Sequence, residues 1–229
     1  IIITMKKVFL NMFVVAALGM SVISCKNEAK NETEAKEAEE VVEATEEAAV
    51  YSISADESVI NWAGTKPVGG GHEGTIAVES GEFSVAGEQI ESGKVTIDMK
   101  SIKATDLEGD QKSNLEAHLM GTVEGKEGDF FNVQEYPEAT FEVTGVVEKD
   151  GKTWLKGNLT LKGNTKNVNI PVDTSMEGDK LVVTSEEFTI DRTDWDVNYG
   201  SKSVFDSLVG DNVISDDIQL EIKVVANKA

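Results

Sequence analysis

The chain has 229 residues, room for one β domain with appendages, and its 21 Lys+Arg against 42 Asp+Glu leave a net charge of -21. Such an acidic chain repels phosphate, which excludes nucleic acid as a partner, and it gains nothing electrostatically from an anionic lipid surface. A single cysteine, Cys25, allows no internal disulfide and no Cys-x-x-Cys site, and with only His72 and His118 there is little room for zinc or triad chemistry, so no metal or other cofactor is expected.

Residues 1–24 read as a secretory leader. Met5, directly followed by Lys6 and Lys7, looks like the translation start, and residues 8–23 are apolar apart from Asn11, Ser21 and a glycine. That run fits the h-region of a signal peptide better than a spanning helix, which needs roughly 20 apolar residues. It closes on Val22-Ile23-Ser24-Cys25, which resembles a bacterial lipobox and predicts a lipidated Cys25 as the mature N-terminus, attaching the chain to a membrane. Several acyl chains acting together would be needed, because one chain holds only marginally. Residues 25–49 are then expected to form a disordered tether. Residues 26–50 carry three Lys and nine Glu and almost no large apolar side chains, so they bury nothing.

From Val50 the composition turns to β-branched residues, aromatics and turn glycines, so the folded domain is placed at residues 50–229 and carries a net charge of -17. Residues 51–54 and 59–65 read as the first strand region, with Trp62 inside it. Gly69-x-Gly71-x-x-Gly74 matches a dinucleotide fingerprint letter for letter, but Thr75-Ile76-Ala77-Val78 follows it, a strand rather than the helix N-terminus that receives pyrophosphate. Residues 82–85 and 94–100 continue the alternation, with Val95, Ile97 and Met99 on one face. The period changes between Asp106 and Gly121, where Leu115 and Leu119 at i, i+4 predict a short helix, and His118 beside that stripe reads as an exposed or capping histidine. Residues 129–143 lead from Phe130-Phe131 through Tyr136-Pro137, whose proline holds Tyr136 extended, into an alternating strand with Phe141 and Val143 on its dry face.

Four further strands follow, over residues 154–162, 167–173, 181–191 and 218–224. In the first, Leu155, Leu159 and Leu161 share a face with Gly157. In the second, Val168, Ile170 and Val172 do so, and Pro171 opposite them predicts an edge or bulge. The third carries Phe188 and Ile190. The last holds Ile218, Leu220, Ile222 and Val224 against Gln219, Glu221 and Lys223. One apolar and one polar face per strand predicts an all-β, antiparallel sheet. Periodicity alone leaves barrel and sandwich both open.

Three motifs occur in order. Asp-Phe-Phe-x-Val with Tyr-Pro-x-Ala-Thr-Phe spans residues 129–141. Gly-x-Leu-Thr-x-Lys-Gly-x-Thr-Lys spans residues 157–166. The third, residues 188–200, has Arg192, Trp195, Val197, Tyr199 and Gly200 in matching places. Together with His72-x-Gly74 they resemble the YceI-like family of lipocalin-like barrels that bind polyisoprenoids and similar lipids. The resemblance implies an eight-stranded barrel with a short helix before the Asp-Phe-Phe segment, and a long isoprenoid chain or quinone tail held in its lumen, for carriage or storage at the cell envelope. The inward set is then Trp62, Ile76, Val95, Ile97, Phe141, Val143, Leu159, Leu161, Ile170, Phe188, Ile190 and Leu220. Each of these is equally at home as a plain core residue. His72, Arg192 and Tyr199 are candidates for the polar end, and Arg192 serves as well in an ion pair with Asp191, Asp194 or Asp196.

Two other functions compete: an enzyme, such as a hydrolase using paired carboxylates, and a surface adhesion or scaffold module. The acidic residues are spread evenly over the polar faces and single out no pair, no Gly-x-Ser-x-Gly elbow occurs, and the domain has no cysteine nucleophile. A sealed, side-chain-filled barrel would favour the scaffold. An open apolar lumen would favour the lipid binder.

Overall fold

The computed structural model describes residues 31–149 and 151–229. The expected leader and Cys25 lie outside the described residues. The strands, in chain order, are β1 (Glu32–Thr33), β2 (Lys36–Glu37), β3 (Ala49–Ile53), β4 (Val59–Thr65), β5 (Gly71–Ala86), β6 (Gln89–Ala104), β7 (Glu138–Lys149), β8 (Lys152–Leu161), β9 (Asn164–Glu177), β10 (Lys180–Ser185), β11 (Phe188–Asp191) and β12 (Asp217–Lys228), and the helix α1 (Gly109–Met120) stands between β6 and β7. Eight antiparallel pairings close a ring that runs β4, β5, β6, β7, β8, β9, β10, β12 and back to β4. Two ring positions are broken strands: β3 and β4 both lie between β12 and β5, and β10 and β11 both pair with β12. The eight-stranded ring agrees with the expected lipocalin-like architecture, and closure removes the free edges that an open sheet would present.

Local chemistry accounts for the turns. Lys162 and Gly163 both take positive φ (50° and 77°) between β8 and β9, the two-residue turn whose twist matches an antiparallel hairpin. The glycine run before His72 opens β5 rather than a helix, which removes the nucleotide fingerprint. Helix α1 stops at Gly121, in the left-handed conformation, where a Cβ would fall 2.4 Å from the Glu127 carbonyl oxygen. The Asp-Phe-Phe segment then runs back along the helix end. Phe131 N–H donates to Leu119 O at 3.1 Å and Val133 N–H to Met120 O at 2.9 Å, so carbonyls that a helix end leaves orphaned are satisfied.

The expectation that the tether buries nothing is corrected for residues 31–39. Residues 31–39 lie in the seam where β10 stops and β11 has not taken its place. The last β9–β10 pair is Ser185 with Val172, and Pro171 sits one residue beyond it, where β9 loses that neighbour. Into the gap comes β1, parallel to β11 (Glu32 with Thr189, Thr33 with Ile190), followed by β2, antiparallel to β9 (Lys36 with Asn167, Glu37 with Lys166). Thr33 is buried and donates to Asn169 O at 2.9 Å, and Ala35 packs on the core. The Asn158 side-chain amide pairs with both backbone groups of Glu39, and Lys156 Nζ sits 2.7 Å from Glu39 Oε2. The physical reason is backbone pairing: an unfilled seam leaves two rows of peptide groups without partners, and a polar segment satisfies them as well as an apolar one.

Candidate functional site

Inward-facing side chains divide the ring into a filled half and a hollow half. Towards the β5–β6 hairpin at residues 86–89, Val78, Phe83, Val95, Phe141, Val143, Leu155, Ile170, Val183, Phe188 and Val224 are buried and pack the interior. The Phe141 ring covers Gly157: a Cβ there would lie 2.2 Å from the ring, so glycine is what lets the aromatic lie flat over the neighbouring strand β8. Towards α1 the interior opens into a cavity of about 390 Å³. Ile60, Trp62 and Gly64 of β4, Ile97, Met99 and Ile102 of β6, Leu159 and Leu161 of β8, and Ile218 and Leu220 of β12 form its wall. Leu115 and Leu119 of α1, with Phe130 and Phe131 after it, close one side of the top.

Of the twelve side chains assigned inward from sequence, seven line this cavity: Trp62, Ile76, Ile97, Leu159, Leu161, Ile190 and Leu220. The other five, Val95, Phe141, Val143, Ile170 and Phe188, face inward too but belong to the packed half and do not line it. Alternation tells which face a residue takes, and nothing in it tells how far along the barrel axis the packing stops.

The three polar-end candidates come together at the mouth, in unlike roles. His72 donates from Nδ1 to Asp106 Oδ2 at 2.8 Å, fastening the start of β5 to the segment leading into α1. Burial pushes the Asp106 carboxyl up, but the bonds from His72 and from Glu73 N–H outweigh it and hold the group below the usual carboxylate range. Tyr199 lines the cavity with its ring centroid 5.3 Å from that of Phe130. Arg192 also borders the cavity but is 2% exposed, and its guanidinium is committed: Nε donates to Ser215 O at 3.0 Å, Nη2 to Ile214 O at 3.3 Å, and Nη1 to Val197 O. Its ion-pair partner is Asp216 at 3.6 Å, rather than Asp191, Asp194 or Asp196. Burial pushes the guanidinium pKa down, opposed by Asp216 and Asp191. Arg192 is therefore a clamp on the loop of residues 197–215 rather than a free cation in the lumen.

His118 is neither an exposed nor a capping histidine. Its Nε2 donates to Asp129 Oδ2 at 2.7 Å, its ring stands edge-on to Phe130 and Tyr199 (centroids 5.1 and 4.8 Å), and it lines the cavity. The signal was in the sequence: Leu115, His118 and Leu119 stand at i, i+3, i+4, one face of the helix. The other two motifs hold the mouth in shape. Trp195, fully buried, donates from Nε1 to Leu159 O at 3.0 Å. Lys162 Nζ donates to Gly128 O and Asp196 O, both at 2.9 Å, and burial lowers its pKa against the pull of Asp196 and Asp129. Among the described residues no group of three or more His, Cys, Asp or Glu side chains is arranged to hold a metal.

The site so defined is an apolar half-barrel with a polar mouth. A family model of the YceI-like domain matches residues 51–226, and the chain belongs to that family. It is 33% identical over 101 residues to a UPF0312 protein of Shewanella denitrificans (43% of this chain, 47% of the relative) and 38% identical over 86 residues to one of Pseudomonas aeruginosa (38% and 39%), so the chain spans less than half the length of these curated relatives. Among solved structures it resembles Burkholderia cenocepacia BcnA (TM-score 0.56, 22% identity, 76% of this chain and 99% of that one). It also resembles a polyisoprenoid binding domain from Saccharophagus degradans implicated in plant cell wall breakdown (TM-score 0.56, 18% identity, 78% and 98%). At these identities the likeness is one of fold. Residues 31–39, which fill the seam, lie before the stretch that the family model covers.

Proposed function

We propose that this domain binds an apolar lipid of the isoprenoid or quinone type in its half-barrel cavity, carrying or storing it at the cell envelope, with the chain held to a membrane through a lipidated Cys25. The observation that carries the reading is the cavity itself: apolar side chains line its depth, while the polar groups His72, His118, Tyr199 and Lys66 are gathered at its mouth. That is the distribution an amphiphile with a hydrocarbon tail and a small polar head requires. The Saccharophagus degradans domain of the same fold, a polyisoprenoid binder, supports the choice of lipid class. We read the two His–Asp pairs as fastenings rather than catalysts, because each joins neighbouring segments of the mouth and no carboxylate pair borders the cavity.

Solvent extraction and mass spectrometry of the protein purified from a bacterial host test this. The wild type should release a co-purified lipid, and a loaded sample should melt higher than a stripped one by linkage. Leu159→Arg places a charge in the cavity wall, where desolvation disfavours it, and should release none. Val147→Arg, at the exposed far end of the β7–β8 hairpin, should release as much as the wild type. A wild type that is lipid-free and takes up no added isoprenoid overturns the lumen reading. Acyl labelling that persists in Cys25→Ala overturns the anchor.

A further inference from the structure

We propose that one side of the cavity mouth is a docking surface for a lipid bilayer, through which ligand enters and leaves without crossing water. The inference rests on the lipid-binding reading above. Its starting point is where the exposed apolar side chains are. Val209 (68% exposed), Val68 (57%), Phe205 (50%), Val204 and Tyr199 account for five of the ten exposed large apolar residues among those described. Single exposed apolar residues need no explanation, but concentration in one place does. All five belong to two loops, residues 66–70 and 199–215, and both loops also supply the mouth, through Lys66, Gly69, Tyr199, Ile214 and Ser215.

The loops form one built surface. Lys66 Nζ donates to Asp211 O at 3.2 Å, and Ser215 N–H donates to Thr65 O at 2.8 Å, joining one loop to the other. Within the longer loop, Phe205 N–H donates to Ser201 O at 2.9 Å, Ile214 N–H to Gly200 O at 2.8 Å, and Ser203 Oγ to Asp216 Oδ2 at 2.6 Å. The backbone is held while the apolar side chains stay outside, so their exposure is set by the loop's own bonding. The apolar path continues inward from them: Tyr199 is 5.3 Å from Phe130, ring to ring, and Phe130 is 6.5 Å from Phe131, both of which line the cavity.

Charge selects the partner. The domain from residue 50 carries -17, yet the two loops together hold Lys66 and Lys202 against Asp206 and Asp211, a sum of zero. This is a neutral, apolar surface on an acidic molecule, which can meet a bilayer with little repulsion. A bilayer is also the natural reservoir of the ligand class that the cavity fits, and side chains such as Phe and Val enter the headgroup boundary readily.

The test compares the full chain with its Val68→Asp/Phe205→Asp/Val209→Asp variant and with a Val146→Asp/Val147→Asp control, altered at the far end of the barrel. The probe is a fluorescent short-chain isoprenoid, offered either in phosphatidylcholine vesicles or in detergent micelles. Any acyl anchor is common to all three chains. The triple variant should take up probe from vesicles at least tenfold more slowly than the wild type, with unchanged final loading from micelles, and the control should match the wild type in both. Equal vesicle rates for the triple variant and the wild type overturn the docking surface and leave the lumen reading intact. Loss of micelle loading in the triple variant also overturns it, by making the loops part of the ligand wall. A wild type that loads from neither donor overturns the lipid reading and this inference with it.

Discussion

Arg192 shows how a residue at the mouth divides between holding the fold and meeting a ligand. Its guanidinium spans three carbonyls, those of Val197, Ile214 and Ser215, with Asp216 beside it, and is almost wholly buried. Replacing it with methionine strands those acceptors and one carboxylate, and breaking a buried charged network of this kind costs about 3–5 kcal/mol. At about 2–4 °C per kcal/mol for a domain of this size, Arg192→Met should melt about 6–20 °C lower, measured by thermal denaturation, while lipid bound per folded molecule stays at the wild-type level. An unchanged melting temperature with lost lipid would instead return Arg192 to the ligand's polar end. The residue type was legible, since an arginine inside a motif of aspartates and aromatics had to be paired. Its partners were not, because Ser215 and Asp216 are more than twenty positions away and only chain closure brings them near. His118 was misread for the opposite reason. Its helical stripe was visible, but Asp129 and Tyr199, the partners that make it part of the mouth, come from two separate loops.

At the scale of elements, the alternating pattern located the ring strands well, because a half-buried strand must repeat with period two. It joined β10 and β11 into one strand and missed β1 and β2 altogether. The first error has a local cause: Glu186 and Glu187 interrupt the pairing where the strand leaves β9 for the other part of β12. The second is one of kind, since residues 31–39 are held through backbone groups and polar side chains and so carry no apolar signature. The ladder to β11 and β9, the Thr33 bond and the Asn158–Glu39 pair, at about 1 kcal/mol each, oppose the entropy of ordering the segment and keep the edges of β9 and β11 covered. A chain lacking residues 31–39 should therefore melt lower than the full chain, by about 2–4 °C for each kcal/mol the segment contributes, and the bared edges of β9 and β11 should drive association that light scattering detects. Equal melting temperatures would mean that the segment lies in the seam without stabilising it.

For the molecule as a whole, the fact with most consequence is that only half of the barrel is hollow. The resemblance to lipid-binding barrels suggested a long chain in the lumen, yet Val95, Phe141, Val143, Ile170 and Phe188 fill the end away from α1 and leave about 390 Å³. That is near the small end of ligand cavities, which run from about 300 to 1,000 Å³. On the proposed lipid-binding reading, a polyisoprenoid would enter by one end, fill the half-barrel, and leave the rest of its length at the mouth, beside Phe130, His118 and Tyr199. While the chain is short, each added CH₂ buried in the wall should contribute about 0.8 kcal/mol, close to a fourfold gain in affinity. Once the hollow half is full, further units have no wall to meet and should add little. Dissociation constants for a series of isoprenols differing by one isoprene unit, measured by competition against a fluorescent probe, should thus fall steeply and then level. Phe141→Ala, which removes the ring lying across Gly157 and opens the filled half, should move the break to a longer chain, at a loss of about 3–5 kcal/mol in stability. Affinity that does not change with length places the ligand outside the lumen. Affinity that climbs without a break through long chains means that the packed half opens for its ligand, and Phe141 and Phe188 would then be wall rather than floor.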